Sequence, residues 1–185
     1  MFLENERFPF IQKLENAWEK IRAEAMALPA GNYNPWGETH LYDQVNGWDV
    51  FVFTAAKQPI VRNQRLCPET TRVLSQVPDL ITAGFSVLKP GTHITPHEGF
   101  STPVLRCHLG LTIPPGCRFR VKSETRHWEE GKCWIFNDGD EHEAWNDSKE
   151  IRIILIVDVV KPGKTITDAE ITKMVEGFKA GGVKF

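Results

Sequence analysis

The chain has 185 residues, 41% hydrophobic and 25% charged, which are ordinary proportions for one domain with one substantial core. Its 22 basic and 24 acidic residues leave a formal net charge of -2, so the basic excess of a nucleic-acid binder is missing. No apolar run approaches the roughly 20 residues that span a bilayer, and the acid-bearing start from Met1 to Arg7 is unlike a secretory signal.

Cys67, Cys107, Cys117 and Cys133 are scattered, without a CxxC pair, which argues against a zinc ribbon. The expectations are reduced thiols, a cytoplasmic location, no membrane segment and no nucleic-acid partner. A monomer is compatible with all of this.

In chain order, Phe10 to Leu28 reads as a helix: Ile11, Leu14, Trp18, Ile21 and Ala25 recur at three- and four-residue steps, and Pro29 and Gly31 stop it. An irregular stretch rich in Asn, Pro, Trp and Gly follows, from Asn32 to Gly47. Trp48 to Ala55 alternates and is rich in β-formers, so it reads as a strand. Arg62 to Cys67 reads as a loop, and Pro68 to Leu74 as a short helix opened by proline in its first turn.

From Ile81 onward short β-type runs succeed one another: Ile81–Leu88, Arg106–Ile113, Cys117–Val121, Cys133–Phe136 and Ile151–Val160. Turn residues such as Lys89-Pro90-Gly91 and Pro114-Pro115-Gly116 separate them. This spacing predicts a sandwich or barrel rather than a βαβ fold. At the end, Thr167 and Glu170 form a capping box for a helix with Ile171, Met174, Val175 and Phe178 on one face. No internal repeat or linker interrupts the chain, so one domain over residues 1–185 is expected. Flanking helices are expected at about 10–28 and 168–180.

Two histidines stand out by context. His97 follows Pro96 in a turn-like segment, and His142 lies in GDEHEAW just before the last long strand. They are too far apart for a helical HExxH site but could meet across a barrel mouth. A facial triad for iron(II) needs two histidines and a carboxylate. Here the position two after His97 is Gly99, which cannot ligate, and Glu98 would point away along an extended chain.

Arg106 and Arg152 each sit inside an apolar, strand-like run. A buried guanidinium is costly unless paired. Three explanations stand side by side: a protein carboxylate, a solvent edge, or an anionic ligand held bidentately. His108, two residues beyond Arg106, shares its face, which suggests a pocket for a dicarboxylate. Trp36, Trp145 and Asn146 are further lining candidates, although a core role suits aromatics as well.

The runs FSVLKPGTHITPHEGF, LRCHLGLTIP, WEEGKCWIFNDGDEHEAWND and IRIILIVDVVKP resemble the aspartyl/asparaginyl β-hydroxylase family, and NYNPWGETHLY, GWDVFVF and RNQRLCPETTRVL extend the resemblance upstream. It covers about Trp36 to Pro162, which places the core at about 36–162 between the flanking helices, and is densest from Phe85. The resemblance implies a mainly β, double-stranded β-helix (jelly-roll, cupin-like) fold with the terminal helices packed outside. It implies iron(II), 2-oxoglutarate as co-substrate, and dioxygen.

It further implies His97 and His142 as metal ligands, with Gly99 where related oxygenases carry Asp or Glu. Arg152 matches the group that holds the distal carboxylate of 2-oxoglutarate, and Ser86 a hydroxyl assisting there. His108 and Arg106 match groups near the proximal carboxylate and the substrate. Two positions depart from the family: Val104 stands where vertebrate-type members carry Arg, and Phe100 where they carry Pro.

The implied activity is hydroxylation of an unactivated carbon, foremost the β-carbon of an aspartyl or asparaginyl residue or a related amino acid, in a peptide or small molecule. A lipid acyl chain is the alternative substrate. Two rivals differ in class: a two-His iron halogenase, separable by chloride-dependent product, and a non-catalytic jelly-roll module that holds a metal or anion, separable by oxygen consumption.

Overall fold

The computed structural model describes residues 1–99 and 103–183. Its strands are β1 (Phe2–Leu3), β2 (Asn34–Pro35), β3 (Trp48–Ala55), β4 (Gln58–Pro59), β5 (Leu80–Leu88), β6 (His93–His97), β7 (Val104–Thr112), β8 (Cys117–Val121), β9 (Glu124–Arg126), β10 (Cys133–Asn137), β11 (His142–Asn146) and β12 (Arg152–Val160). Its α-helices are α1 (Phe10–Asn16), α2 (Trp18–Ala27), α3 (Val61–Leu66), α4 (Pro68–Leu74) and α5 (Asp168–Ala180).

The strands form two antiparallel sheets. The larger runs β1-β10-β7-β12-β5-β3-β2, with β4 paired to β3, and the smaller runs β6-β11-β8-β9. They face each other as the expected jelly roll, and the two-residue period of the strands explains why. In β3, β5, β7, β10 and β12, odd-numbered residues such as Phe51, Phe85, Leu109, Ile135 and Leu155 are buried in one cluster with Phe10, Leu14 and Ile21 of the N-terminal helices and Val73 of α4.

The even-numbered side chains, Val50, Leu88, Phe136 and Ile154 among them, are buried against Ile94, Phe119, Val121 and Ala144 of the small sheet. The large sheet is therefore covered on both faces, and its strands read as near-continuous apolar runs. Truncating a fully buried member such as Leu109 to Ala would cost about 2–5 kcal/mol.

The expected N-terminal helix is two helices. At Ala17 the backbone opens to φ -106° and ψ 1°, and the Ala17 N–H reaches back to Leu14 O at 3.1 Å, a tightened final turn. Arg62–Cys67, expected as a loop, falls largely in α3. No buried stripe marks that helix. It is pinned to β3 by side chains, with Asn63 Nδ2 donating to Val52 O at 2.7 Å and Gln64 Nε2 to Phe53 O at 3.1 Å.

His97 ends strand β6 rather than lying in a turn. The Thr167–Glu170 capping box is present. However, α5 does more than pack outside, because Met174 and Phe178 form part of the wall of the central cavity. All four cysteines are buried and unbridged. Among the described residues no helix is long and apolar enough to cross a membrane.

Candidate functional site

Strand pairing brings the two distant histidines together. His97 closes β6, His142 opens β11, and the register sets them opposite each other, followed by an irregularity before Ala144. Their ring centroids lie 4.3 Å apart. Each ring is oriented by the same device: Nδ1 of His97 bonds Thr95 O at 2.7 Å, and Nδ1 of His142 bonds Asp140 O at 2.8 Å. A carbonyl only accepts, so each Nδ1 carries the proton and each Nε2 keeps its lone pair, the tautomer a metal ligand requires.

Burial lowers the pKa of both. For His142, burial with the neighbouring His97 and Arg106 brings it down to about 3, and for His97 burial outweighs the Thr95 bond. Both imidazoles are thus neutral and able to bind a metal at ordinary pH. Among the described residues no group of three or more His, Cys, Asp or Glu is arranged to hold a metal.

Asp138 lies beside the pair, its Oδ1 3.9 Å from His142 Nε2. Burial, offset by Arg106 and reinforced by Asp158, lifts its pKa to about 6. A Cβ placed on Gly99 would overlap the Asp138 carboxylate, so glycine is what lets that group sit there. Arg106 holds it, with Nη1 2.7 Å from Asp138 Oδ1.

Arg106 also forks onto Asp158, with Nε to Oδ1 at 2.8 Å and Nη2 to Oδ2 at 2.9 Å. Of the three explanations for an arginine in this strand, the protein carboxylate is the one observed. Burial works against its charge, yet the two aspartates hold its pKa above the ordinary range. The fork that would receive an anion is therefore already engaged by Asp158 in this structure.

Arg152 is the opposite case. It is 1% exposed, burial pushes its pKa down to about 10, and its Nε and Nη2 have no hydrogen-bond partner. Both ring nitrogens of His108 and Nε1 of Trp128 are likewise buried and unpaired. The guanidinium carbon lies 5.0 Å from the Trp128 ring centroid, and that ring lies 6.0 Å from the His108 ring. Native interiors rarely leave such groups unsatisfied, and this set is donor-rich. It fits an acceptor-rich anion such as a carboxylate.

Ser86 stands on the neighbouring strand, its Oγ accepting from Trp48 Nε1 at 2.9 Å, which leaves its own hydroxyl hydrogen to donate. The structure thus brings Ser86, His97, Arg106, His108, His142 and Arg152 to one recess.

The lining candidates divide. Trp36 lines the larger cavity next to this recess. Trp145 stacks on His93 at 4.8 Å, with Arg118 4.4 Å from its centroid. Asn146 is buried, with Nδ2 bonding Leu88 O and Glu150 O, so both hold the scaffold. Val104 is buried and lines the larger cavity; Phe100 lies outside the described residues.

Asp138, Asp158 and Trp128 are the residues sequence reasoning missed. Asp158 carried a signal, an acid inside the apolar run of β12. Asp138 was hidden in what read as a turn before His142.

The profile described as aspartyl/asparaginyl beta-hydroxylase matches residues 15–162. The chain belongs to the aspartyl/asparaginyl β-hydroxylase family. An ornithine lipid ester-linked acyl 2-hydroxylase of Rhizobium tropici is 41% identical over 121 residues, covering 64% of this chain and 43% of that protein. The aspartyl/asparaginyl beta-hydroxylase of Homo sapiens is 37% identical over 169 residues, covering 84% of this chain and 21% of that one.

The chain spans less than half the length of either relative. Among solved structures, the Schizosaccharomyces pombe Cnp3 cupin domain aligns at a TM-score of 0.44 and 12% identity, covering 65% of this chain and 68% of that one. Hydroxylases of this family thus include members named for a peptide residue and for a lipid chain.

Proposed function

We propose that this family member is an iron(II)- and 2-oxoglutarate-dependent hydroxylase, with His97 and His142 holding the metal and Arg152 receiving the distal carboxylate of the co-substrate. The observation that carries the reading is the buried, unpaired Arg152 guanidinium in the same recess as two neutral histidines whose Nε2 atoms are available. A structural arginine would have found a protein partner, as Arg106 has.

When bound, iron(II), 2-oxoglutarate and dioxygen supply hydroxylation of an unactivated carbon coupled to decarboxylation of the co-substrate to succinate and carbon dioxide. The chain supplies position, charge and exclusion of water. The carbonyls of Thr95 and Asp140 hold the two imidazoles in the ligating tautomer. Trp48 fixes the Ser86 oxygen so that its hydroxyl can donate beside Arg152. His108, kept neutral by burial and by Arg106 and Arg152, offers one donor to the proximal end of the co-substrate. Arg106, itself gripped by Asp158, holds the Asp138 carboxylate beside the histidine pair.

The names of the relatives suggest two positions of attack, the β-carbon of an aspartyl or asparaginyl residue, or an acyl chain. The halogenase reading needs room for chloride at the missing carboxylate's place. That room is filled by Asp138, whose charge would repel an anion.

The test is succinate release and oxygen consumption with iron(II) and 2-oxoglutarate, coupled to a mass-spectrometric screen for substrates that gain one oxygen. Wild type is expected to turn over, and His97→Ala and His142→Ala to lose both iron binding and succinate. Iron binding that survives in both variants would sink the ligand assignment. Wild type that consumes neither oxygen nor 2-oxoglutarate with any substrate would favour a non-catalytic module.

A further inference from the structure

Next to the metal recess lies a cavity of about 280 Å³. Much of its wall is apolar, from Val50 and Val52 of β3, Ile156 of β12, Val104 of β7, and Met174 and Phe178 of α5. Four carboxylates also line it, Glu38, Glu98, Asp138 and Asp158, against a single guanidinium, that of Arg106. The remaining bases on its wall are the exposed His40 and the ligand His97.

The guanidinium offers little to a ligand, because Asp158 takes it bidentately and Asp138 lies 2.7 Å from it. Glu38 is different. Its Oε2 accepts from Trp36 Nε1 at 3.2 Å, and no cation among the described residues pairs with it. The half-buried Glu38 thus adds negative charge to a cavity with apolar walls, where the nearest guanidinium, Arg106, is already shared with two aspartates.

We propose that this cavity takes a cationic aliphatic substrate. An alkyl chain lies along Met174 and Phe178, a basic amine is received by Glu38, and compounds presenting a free carboxylate are rejected. Calling the ligand a substrate rests on the hydroxylase reading and, of the targets named there, sets aside the aspartyl side chain; the binding preference rests on the cavity alone. The apolar wall favours the chain by area removed from water. A carboxylate entering here would be desolvated beside Glu38, Asp138 and Asp158, with no unengaged guanidinium or ammonium among the described residues of the wall to receive it, whereas an ammonium would gain a charge-assisted hydrogen bond.

The test uses metal-free protein, so its outcome does not depend on iron or 2-oxoglutarate. Octylamine, 1-octanol and octanoate, identical in chain length, are titrated near neutral pH while tryptophan fluorescence is followed, since Trp36 and Trp48 line the cavity. Octylamine is expected to bind about tenfold more tightly than 1-octanol and more tightly still than octanoate. Glu38→Gln should remove most of the amine's advantage and leave 1-octanol unchanged, while Phe178→Trp should weaken all three by filling the wall.

Octanoate binding as well as octylamine, 1-octanol matching octylamine, or none of the three binding would each overturn the proposal. If Glu38→Gln does not fold, the wild-type ranking and its loss in high salt decide the matter. Amine preference without succinate release would sink the hydroxylase reading and leave this one standing. Succinate release without amine preference would do the reverse.

Discussion

The carboxylate of Asp138 occupies the space that any side chain on Gly99 would need. The position that reads in sequence as a missing ligand is therefore filled from another strand's end, by a group tied to Arg106. Gly99→Asp, the obvious attempt to complete a three-residue metal site, should fail. It must displace a buried, ion-paired carboxylate, and even Gly99→Ala should cost about 1–3 kcal/mol from overpacking. Pairing Gly99→Asp with Asp138→Gly should restore the folding midpoint. Urea titration checks both, and a single Gly99→Asp variant as stable as wild type would show that Asp138 yields freely.

Arg152→Met should stabilise the protein in the absence of co-substrate while abolishing co-substrate binding. The side chain is fully buried with Nε and Nη2 unpaired, and replacing a buried charge by an apolar group of similar length can gain roughly 1–4 kcal/mol. Chemical denaturation with and without 2-oxoglutarate, beside an iron-binding assay, separates the effects. The expected pattern is a higher midpoint without 2-oxoglutarate, no further rise when it is added, and iron binding retained. An unchanged 2-oxoglutarate titration would remove Arg152 from the site.

Arg106 should behave in the contrary way. Arg106→Leu leaves Asp138 and Asp158 buried without their partner, a loss of about 3–5 kcal/mol that thermal unfolding would register with or without ligands. Arg106→Leu combined with Asp158→Asn should recover part of that loss. Were the single variant to unfold normally and fail only in 2-oxoglutarate affinity, the arginine would be a ligand group after all.

Acid should weaken the metal-free protein. Burial, with nearby charge, keeps His142 at about 3 and His108 well below the ordinary 6.5, and His97 is lowered as well. Below 6.5 the unfolded chain takes up protons that the fold refuses, so stability is full above that pH and is lost as pH falls through the window toward 3. Asp138, raised to about 6, acts oppositely for one proton. The three histidines act together against that one group, and His142 alone should cost roughly 2 kcal/mol by about pH 5. His108→Phe should flatten the dependence of the urea midpoint on pH. A midpoint that does not move between neutral pH and about pH 5 would mean that these rings are solvated.

The strands of the large sheet were legible because their apolar content is high and turn residues punctuate them. The capping box and the helix it begins were legible for the same kind of local reason. Helix α3 was not, since Asn63 and Gln64 hold it through backbone oxygens of β3 and no apolar stripe betrays that. Strand β6 was obscured by Pro96 and by the half-buried polar residues His93, Thr95 and His97. At the site, the family resemblance pointed to residues the structure gathers in one recess. Charge balance was what a single sequence could not resolve. Arg106 and Arg152 look alike in their runs, and only the register that sets Asp158 against Arg106 separates the satisfied guanidinium from the unsatisfied one.

The alternation of β7 and β12 between two clusters has an engineering meaning. Adjacent residues answer to different demands: Cys107, Leu109 and Leu155 to the helices behind the sheet, Arg106, His108 and Ile156 to the chamber in front. A library that varies every second codon along these strands, with Arg106, Ile154 and Asp158 held fixed, would retune what the chamber accepts and leave the apolar cluster behind the sheet untouched.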